Sequence, residues 1–185
     1  HCSAVGKLFA RLPRALPDGR ASTVFDEFLI SLSGLAHELP DGVLVASGDV
    51  LLVFDHLQLA LQRPGVTGVA AAAPAEMGTH HGIYVTDGDG HSLRAYLHKP
   101  SLAELARQDA IAPDGTVQID TGLVWLDGAT VGQLVALGEM AATRAATLNL
   151  YGDLLLPLSA STAREDYLAD TSDGPATPTV QAARA

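Results

Sequence analysis

Val43-Leu44-Val45-Ala46-Ser47-Gly48-Asp49 reads as a short buried strand that ends in a polar turn. Its apolar residues follow one another without polar alternation, as expected of a parallel strand covered on both faces. Gly48-Asp49 stands at the carboxyl end of that strand, where open α/β sheets bind their ligands.

Upstream of this strand the chain predicts a helix. Ser22 or Thr23 can cap it, and Val24, Phe25, Phe28, Leu29, Leu32, Leu35, Ala36 and Leu39 recur at helical spacing. Pro40-Asp41-Gly42 ends it with turn chemistry. Residues 1 to 20 read as irregular, with Pro13, Pro17 and Gly19 spacing out Lys7, Arg11 and Arg14.

Downstream, residues 66 to 73 read as a second buried strand. Ile83 to Thr86 and Ser92 to Leu97 flank Asp87-Gly88-Asp89-Gly90, a strong hairpin signal. Ser101 and Glu104 form a capping-box pattern at the start of a short helix. Gly122 to Leu126 predicts another strand, residues 128 to 142 a helix, and residues 148 to 156 a further helix closed by Pro157. Helices alternating with buried strands imply a three-layer α/β domain of Rossmann-like type with a mostly parallel sheet. It is expected over residues 1 to 165, with a flexible Thr/Ser/Asp/Gly/Pro/Ala-rich tail over 166 to 185.

Composition narrows the functions. The chain has 185 residues, 48% hydrophobic and 17% charged, enough for one domain with a sizeable core. A net charge of −10 with no Lys/Arg cluster opposes nucleic-acid binding. No apolar run reaches the roughly 20 residues of a membrane span, and a cytoplasmic location is expected. The single cysteine, Cys2, excludes an internal disulfide and a multi-cysteine zinc site.

Several residues suit phosphate or sugar chemistry. Asp49, with glycine beside it, suits a divalent metal bridging phosphate oxygens; it equally suits the cap of a following turn. Asp120-Thr121-Gly122 precedes a strand and can bring a second carboxylate to the same rim, or can simply be a turn. His80 and His81 are adjacent, so in a strand they point apart and are poor partners for one metal. Hydrogen bonding to a sugar or base, or a structural role, is expected of them instead. Lys99-Pro100-Ser101 sets a cation before a helix start, an anion site or a solvated lysine. Gly6-Lys7 resembles the end of a phosphate loop. No Walker loop, dinucleotide fingerprint or Gly-x-Ser-x-Gly elbow is present.

In order along the chain, six pieces resemble one family. They are Gly6-Lys7-Leu8-Phe9 with Leu12-Pro13, Leu44 to Val50, Thr79 to Tyr84, Lys99 to Leu105, Asp120 to Leu126, and Leu150-Tyr151-Gly152-Asp153. The run is similar to the pyrophosphorylase portion of bifunctional L-fucokinase/fucose-1-phosphate guanylyltransferases and to single-function GDP-fucose pyrophosphorylases. The resemblance covers roughly residues 5 to 160.

It implies a nucleotidyltransferase domain that transfers GMP from GTP to L-fucose 1-phosphate, releasing pyrophosphate. It also implies Mg²⁺ held by Asp49, Lys99 on the sugar phosphate, and Lys7 near the triphosphate. Ser47 and Gly48, His80, His81 and Gly82, and Asp120, Thr121 and Gly122 would contact or line the substrate site. A left-handed β-helix and possibly a sugar kinase domain accompany such domains. The family carries a Gly-Gly and Ser-Arg-Arg-rich loop just before the Gly6-Lys7 region. The chain opens after that loop, without an initiator Met, so residues 1 to 185 are expected to be N-terminally truncated and inactive alone. Two other readings stay open: another sugar-1-phosphate nucleotidyltransferase, or a non-catalytic sugar- or nucleotide-binding lobe.

Overall fold

The computed structural model describes residues 15–17, 19–48, 50–55, 59–61, 63–88, 90–144, 157 and 163–169. Helix α1 spans Val24–Leu35 and continues as a short 3-10 turn, Ala36–Glu38. Thr23 is its cap. The Thr23 hydroxyl accepts from the Asp26 N–H, and the Asp26 carboxylate accepts from the Thr23 N–H at 2.7 Å, a reciprocal box that satisfies two otherwise orphaned donors. Strand β1 is Gly42–Ala46, β2 is Val66–Pro74, and the one-turn helix α2 is Ala75–Gly78. Strands β3, Gly82–Thr86, and β4, Leu93–His98, form the hairpin predicted around Asp87 to Gly90. The Asp87 N–H to Ser92 carbonyl bond of 2.9 Å closes it.

Helix α3, Leu102–Arg107, is capped by Ser101, whose hydroxyl accepts from the Glu104 N–H at 3.1 Å. Strand β5 runs over Thr116–Asp127, six residues earlier than the strand predicted from Gly122. Helix α4, Gly128–Arg144, follows it directly. Helix α5, Arg164–Ala169, crosses the expected domain boundary at residue 165. The helix expected over 148 to 156 lies outside the described residues.

The expectation of a mostly parallel sheet is overturned: every strand pairing is antiparallel. β1 and β2 do run the same way, but β5 lies between them and runs against both, from Gly42↔Asp127 on one side and Val66↔Leu126 on the other. Continuous apolar runs do not report strand direction, and they do not guarantee burial either: of β1 and β2 only Ala73 is buried. Nor is β1 covered on both faces by the described residues. Val43 and Val45 pack against the core, whereas Leu44 is 45% exposed.

β5 organises two cores. Along one edge it pairs with β1 over its second half and with β3 at Ile83↔Ile119 in its first half, while β2 covers its whole other edge. Phe25, Leu29 and Leu32 of α1 meet Val131 and Leu134 of α4 over Leu126. Ile83, Val85, Ala95, Leu105 and Val117 form the second core. The alternation of β2 separates their faces. Val66 turns toward the α1/α4 core, while Ala73, seven residues on and paired with Val117, turns the other way. The helices thus cover opposite faces of opposite halves of the sheet.

Candidate functional site

The site sits where the two halves of the sheet meet. On β2, Val69 pairs with Leu123 and the next residue, Ala70, with Asp120. Thr121 and Gly122 are therefore extra residues on β5, an irregularity of the bulge type that re-aims the chain. Gly122 makes it possible. Its φ is +70°, and an ideal Cβ there would lie 2.6 Å from the Ser47 Cβ. Both the conformation and the close approach demand glycine. The buried Thr121 hydroxyl donates to the Val69 carbonyl at 2.6 Å, holding the extra residues against β2.

Ser47 arrives from the other side. Its N–H donates to the Gly122 carbonyl at 2.9 Å, carrying the β1 pairing one residue past Ala46. Ser47 and Gly48 are exposed. Asp49, the expected metal ligand, and Lys7 lie outside the described residues.

Asp120 is half-buried, and both of its carboxylate oxygens are engaged. Oδ1 accepts from the Gly122 N–H at 2.8 Å, and Oδ2 accepts from the Tyr96 hydroxyl at 3.1 Å. Neither donor is charged, and Asp120 has no ion-pair partner among the described residues. Tyr96 is 8% exposed, with its ring 5.5 Å from that of Tyr84. The Tyr96 hydroxyl lies 2.0 Å from where a Cβ on Gly82 would be. Gly82 therefore leaves room for a phenol that reaches from β4 to β5.

His80 and His81 do not lie in a strand. They are exposed in the turn after α2, with their N–H groups on the Met77 and Gly78 carbonyls. The His81 carbonyl accepts from the Lys99 N–H at 3.0 Å. Lys99 is exposed and holds φ at +47°, in the left-handed region. Such a backbone costs a non-glycine residue of order 1 kcal/mol and recurs where function fixes a side chain. The following α3 has only six residues, so the lysine itself, more than the helix end, is what this position offers an anion.

Bonds and close approaches thus link Ser47, Gly122, Asp120, Tyr96 and Gly82 in series, and His81 and Lys99 adjoin Gly82. Residues from four separated motifs of the sequence meet at one break in the sheet. Tyr96, which joins the two halves, was not singled out from the sequence. Its signal is the alternation in the hairpin, which sets Tyr84 and Tyr96 opposite each other and away from Ile83, Val85 and Ala95.

Among the described residues, no group of three or more His, Cys, Asp or Glu side chains could hold a metal, and no helix is long and apolar enough to cross a membrane. A cavity of about 220 Å³ lies elsewhere, between Leu16, Pro17 and Arg20, α1 and α4, and no residue of the break lines it.

A profile of the fucose pyrophosphorylase domain matches residues 1–185. The chain belongs to the fucose pyrophosphorylase family. It is 31% identical over 147 residues to the bifunctional fucokinase/GDP-fucose pyrophosphorylase of Arabidopsis thaliana, an alignment covering 72% of this chain and 14% of that protein. It is 23% identical over 204 residues to the fucose-1-phosphate guanylyltransferase of Homo sapiens, covering 94% of this chain and 33% of that one. The mouse fucose-1-phosphate guanylyltransferase is 26% identical over 123 residues, covering 60% and 20%. The chain therefore spans a third or less of the length of these relatives. No solved structure matches.

Proposed function

We propose that this chain forms part of a fucose-1-phosphate guanylyltransferase, which joins GTP and L-fucose 1-phosphate into GDP-L-fucose and pyrophosphate. The observation that carries the reading is the meeting of Ser47-Gly48, His81-Gly82, Lys99 and Asp120-Thr121-Gly122 at one break in the sheet, in a chain of this family.

In this reading an oxygen of the sugar 1-phosphate attacks the α-phosphorus of GTP. The new P–O bond forms as the bond to the pyrophosphate oxygen breaks. The phosphate monoester is already ionised near pH 7, so the protein need not supply a general base. Its work is to align oxygens and surround developing charge. Lys99 holds the sugar phosphate by its charge. Asp120 and the backbone at Gly82 and Gly122 receive the sugar ring, and Lys7 stands near the triphosphate.

Mg²⁺ takes one or two protein carboxylates and fills its shell with substrate phosphates and water. Asp49 directly follows the Ser47-Gly48 pair at the break and is the residue assigned to hold it. Held there, Mg²⁺ would offset negative charge on the substrate phosphates.

The test is Asp49→Asn in the natural reading frame that contains this chain. Turnover of GTP with L-fucose 1-phosphate should fall at least about a hundredfold, as loss of several kcal/mol of transition-state stabilisation requires, with the melting temperature unchanged. Near-normal turnover at saturating Mg²⁺ rejects the assignment.

A further inference from the structure

Asp120 is held in an unusual way for a surface carboxylate. Two neutral donors from different parts of the chain fix its plane: the Gly122 N–H at 2.8 Å and the Tyr96 hydroxyl at 3.1 Å. A carboxylate has about four acceptor positions, so two remain. The residue is only half-buried, and no described cation competes for those positions. A fixed carboxylate with spare lone pairs beside the irregularity in β5 suits a polyhydroxylated ligand, because sugar hydroxyls donate in pairs at fixed spacing.

The cost of this arrangement is visible around it. Gly82 lacks the side chain that would strike the Tyr96 hydroxyl, and Gly122 takes a left-handed backbone so that its N–H faces Asp120. Tyr96 is nearly buried, and its hydroxyl donates to Asp120.

We propose that Tyr96 is a positioning residue. Its hydroxyl locks the Asp120 carboxylate so that the remaining lone pairs accept hydrogen bonds from hydroxyls of the sugar ring. This rests on the functional reading above and deepens it. Tyr96 acts through Asp120 and need not touch substrate. Its loss therefore affects binding of the sugar 1-phosphate and leaves GTP alone. Tyr96→Phe keeps the ring that packs on Tyr84 and removes only the donor.

The experiment compares wild type, Tyr96→Phe, Asp120→Asn and the double variant in the natural reading frame. It reads KM for each substrate, kcat, melting temperature and amide exchange at Gly122. Tyr96→Phe should raise KM for L-fucose 1-phosphate about tenfold, the worth of one hydrogen bond to a charged group, with KM for GTP and the melting temperature unchanged. The Gly122 amide should exchange faster, and adding Tyr96→Phe to Asp120→Asn should change nothing further. An unchanged KM for the sugar phosphate in an otherwise active enzyme overturns the inference and leaves the functional reading standing. So does a fall in kcat and melting temperature with both KM values unmoved, which marks a merely structural tyrosine. Absence of turnover by the wild type with any sugar 1-phosphate overturns the functional reading itself, and this inference with it.

Discussion

The Tyr96 hydroxyl donates to Asp120 across 3.1 Å, and it crosses the space that Gly82 leaves empty. These residues come from the two strands of the hairpin and from β5, and the contact ties the hairpin half of the sheet to the break in β5. Gly82→Ala should therefore be costly. A methyl 2.0 Å from the hydroxyl and 2.7 Å from the Tyr96 Cζ must displace a packed ring, and such overpacking costs about 1–3 kcal/mol. Urea denaturation measures it. Tyr96→Phe in the same chain should restore part of the loss, because it removes the closer of the two atoms. A neutral Gly82→Ala would deny the contact.

Gly122 makes a second requirement. Any L-residue there adopts φ near +70° and meets the Ser47 side chain. Gly122→Ala should lose at least about 1–2 kcal/mol from the backbone alone. The Ser47 amide should also exchange faster as β1 parts from the break. Unfolding curves and exchange measured on one sample check both effects.

Lys99 offers a separation of stability from function. Its φ of +47° disfavours lysine and alanine and suits glycine. Lys99→Gly should be about 1 kcal/mol more stable than Lys99→Ala. Both variants should lose use of the sugar 1-phosphate by about ten- to a hundredfold, as loss of a charged hydrogen bond implies, with GTP binding kept. Equal small effects on both substrates would mark a solvated lysine.

Asp26 carries a pH dependence. Burial pushes its carboxyl pKa up, but hydrogen bonds from Arg20 and Thr23 and the Arg20 charge outweigh that and hold it below the usual aspartate value. A depressed folded-state pKa contributes stability above the unfolded value, and that contribution is lost as pH falls through the folded one. Asp26→Asn should thus destabilise the protein at neutral pH by about 1.5–3 kcal/mol. The gap from wild type should narrow only below about pH 4. Melting temperatures from pH 7 down to pH 2 test this, and a gap constant across that range would contradict it.

Local chemistry was legible in the sequence. The Thr23 and Ser101 caps, the hairpin at Asp87 to Gly90 and the apolar face of α1 each follow from side chains that act on neighbours a few residues away. Strand direction was not. Val43 to Ala46 and Val66 to Ala73 are apolar although only Ala73 among them is buried, and an apolar run is silent on whether β5 runs with or against it. Asp120-Thr121-Gly122 was read as a possible turn before a strand. It is an irregularity inside one, since β2 pairs with β5 on both sides of it, Val69 with Leu123 and Ala70 with Asp120. The candidate residues Ser47, Gly82, Lys99, Asp120 and Gly122 were nameable one by one, but their meeting depended on that pairing. Tyr96 was invisible for the same reason: its partner lies 24 residues away on another strand.

The central claim is tested most directly by the rate of pyrophosphate release from GTP and Mg²⁺, in the natural reading frame that contains this chain, across a panel of sugar 1-phosphates. The account predicts rapid release with L-fucose 1-phosphate, matched mole for mole by GDP-L-fucose, and far slower release with other hexose 1-phosphates. Preference for another sugar 1-phosphate, or no release with any member of the panel, would contradict it.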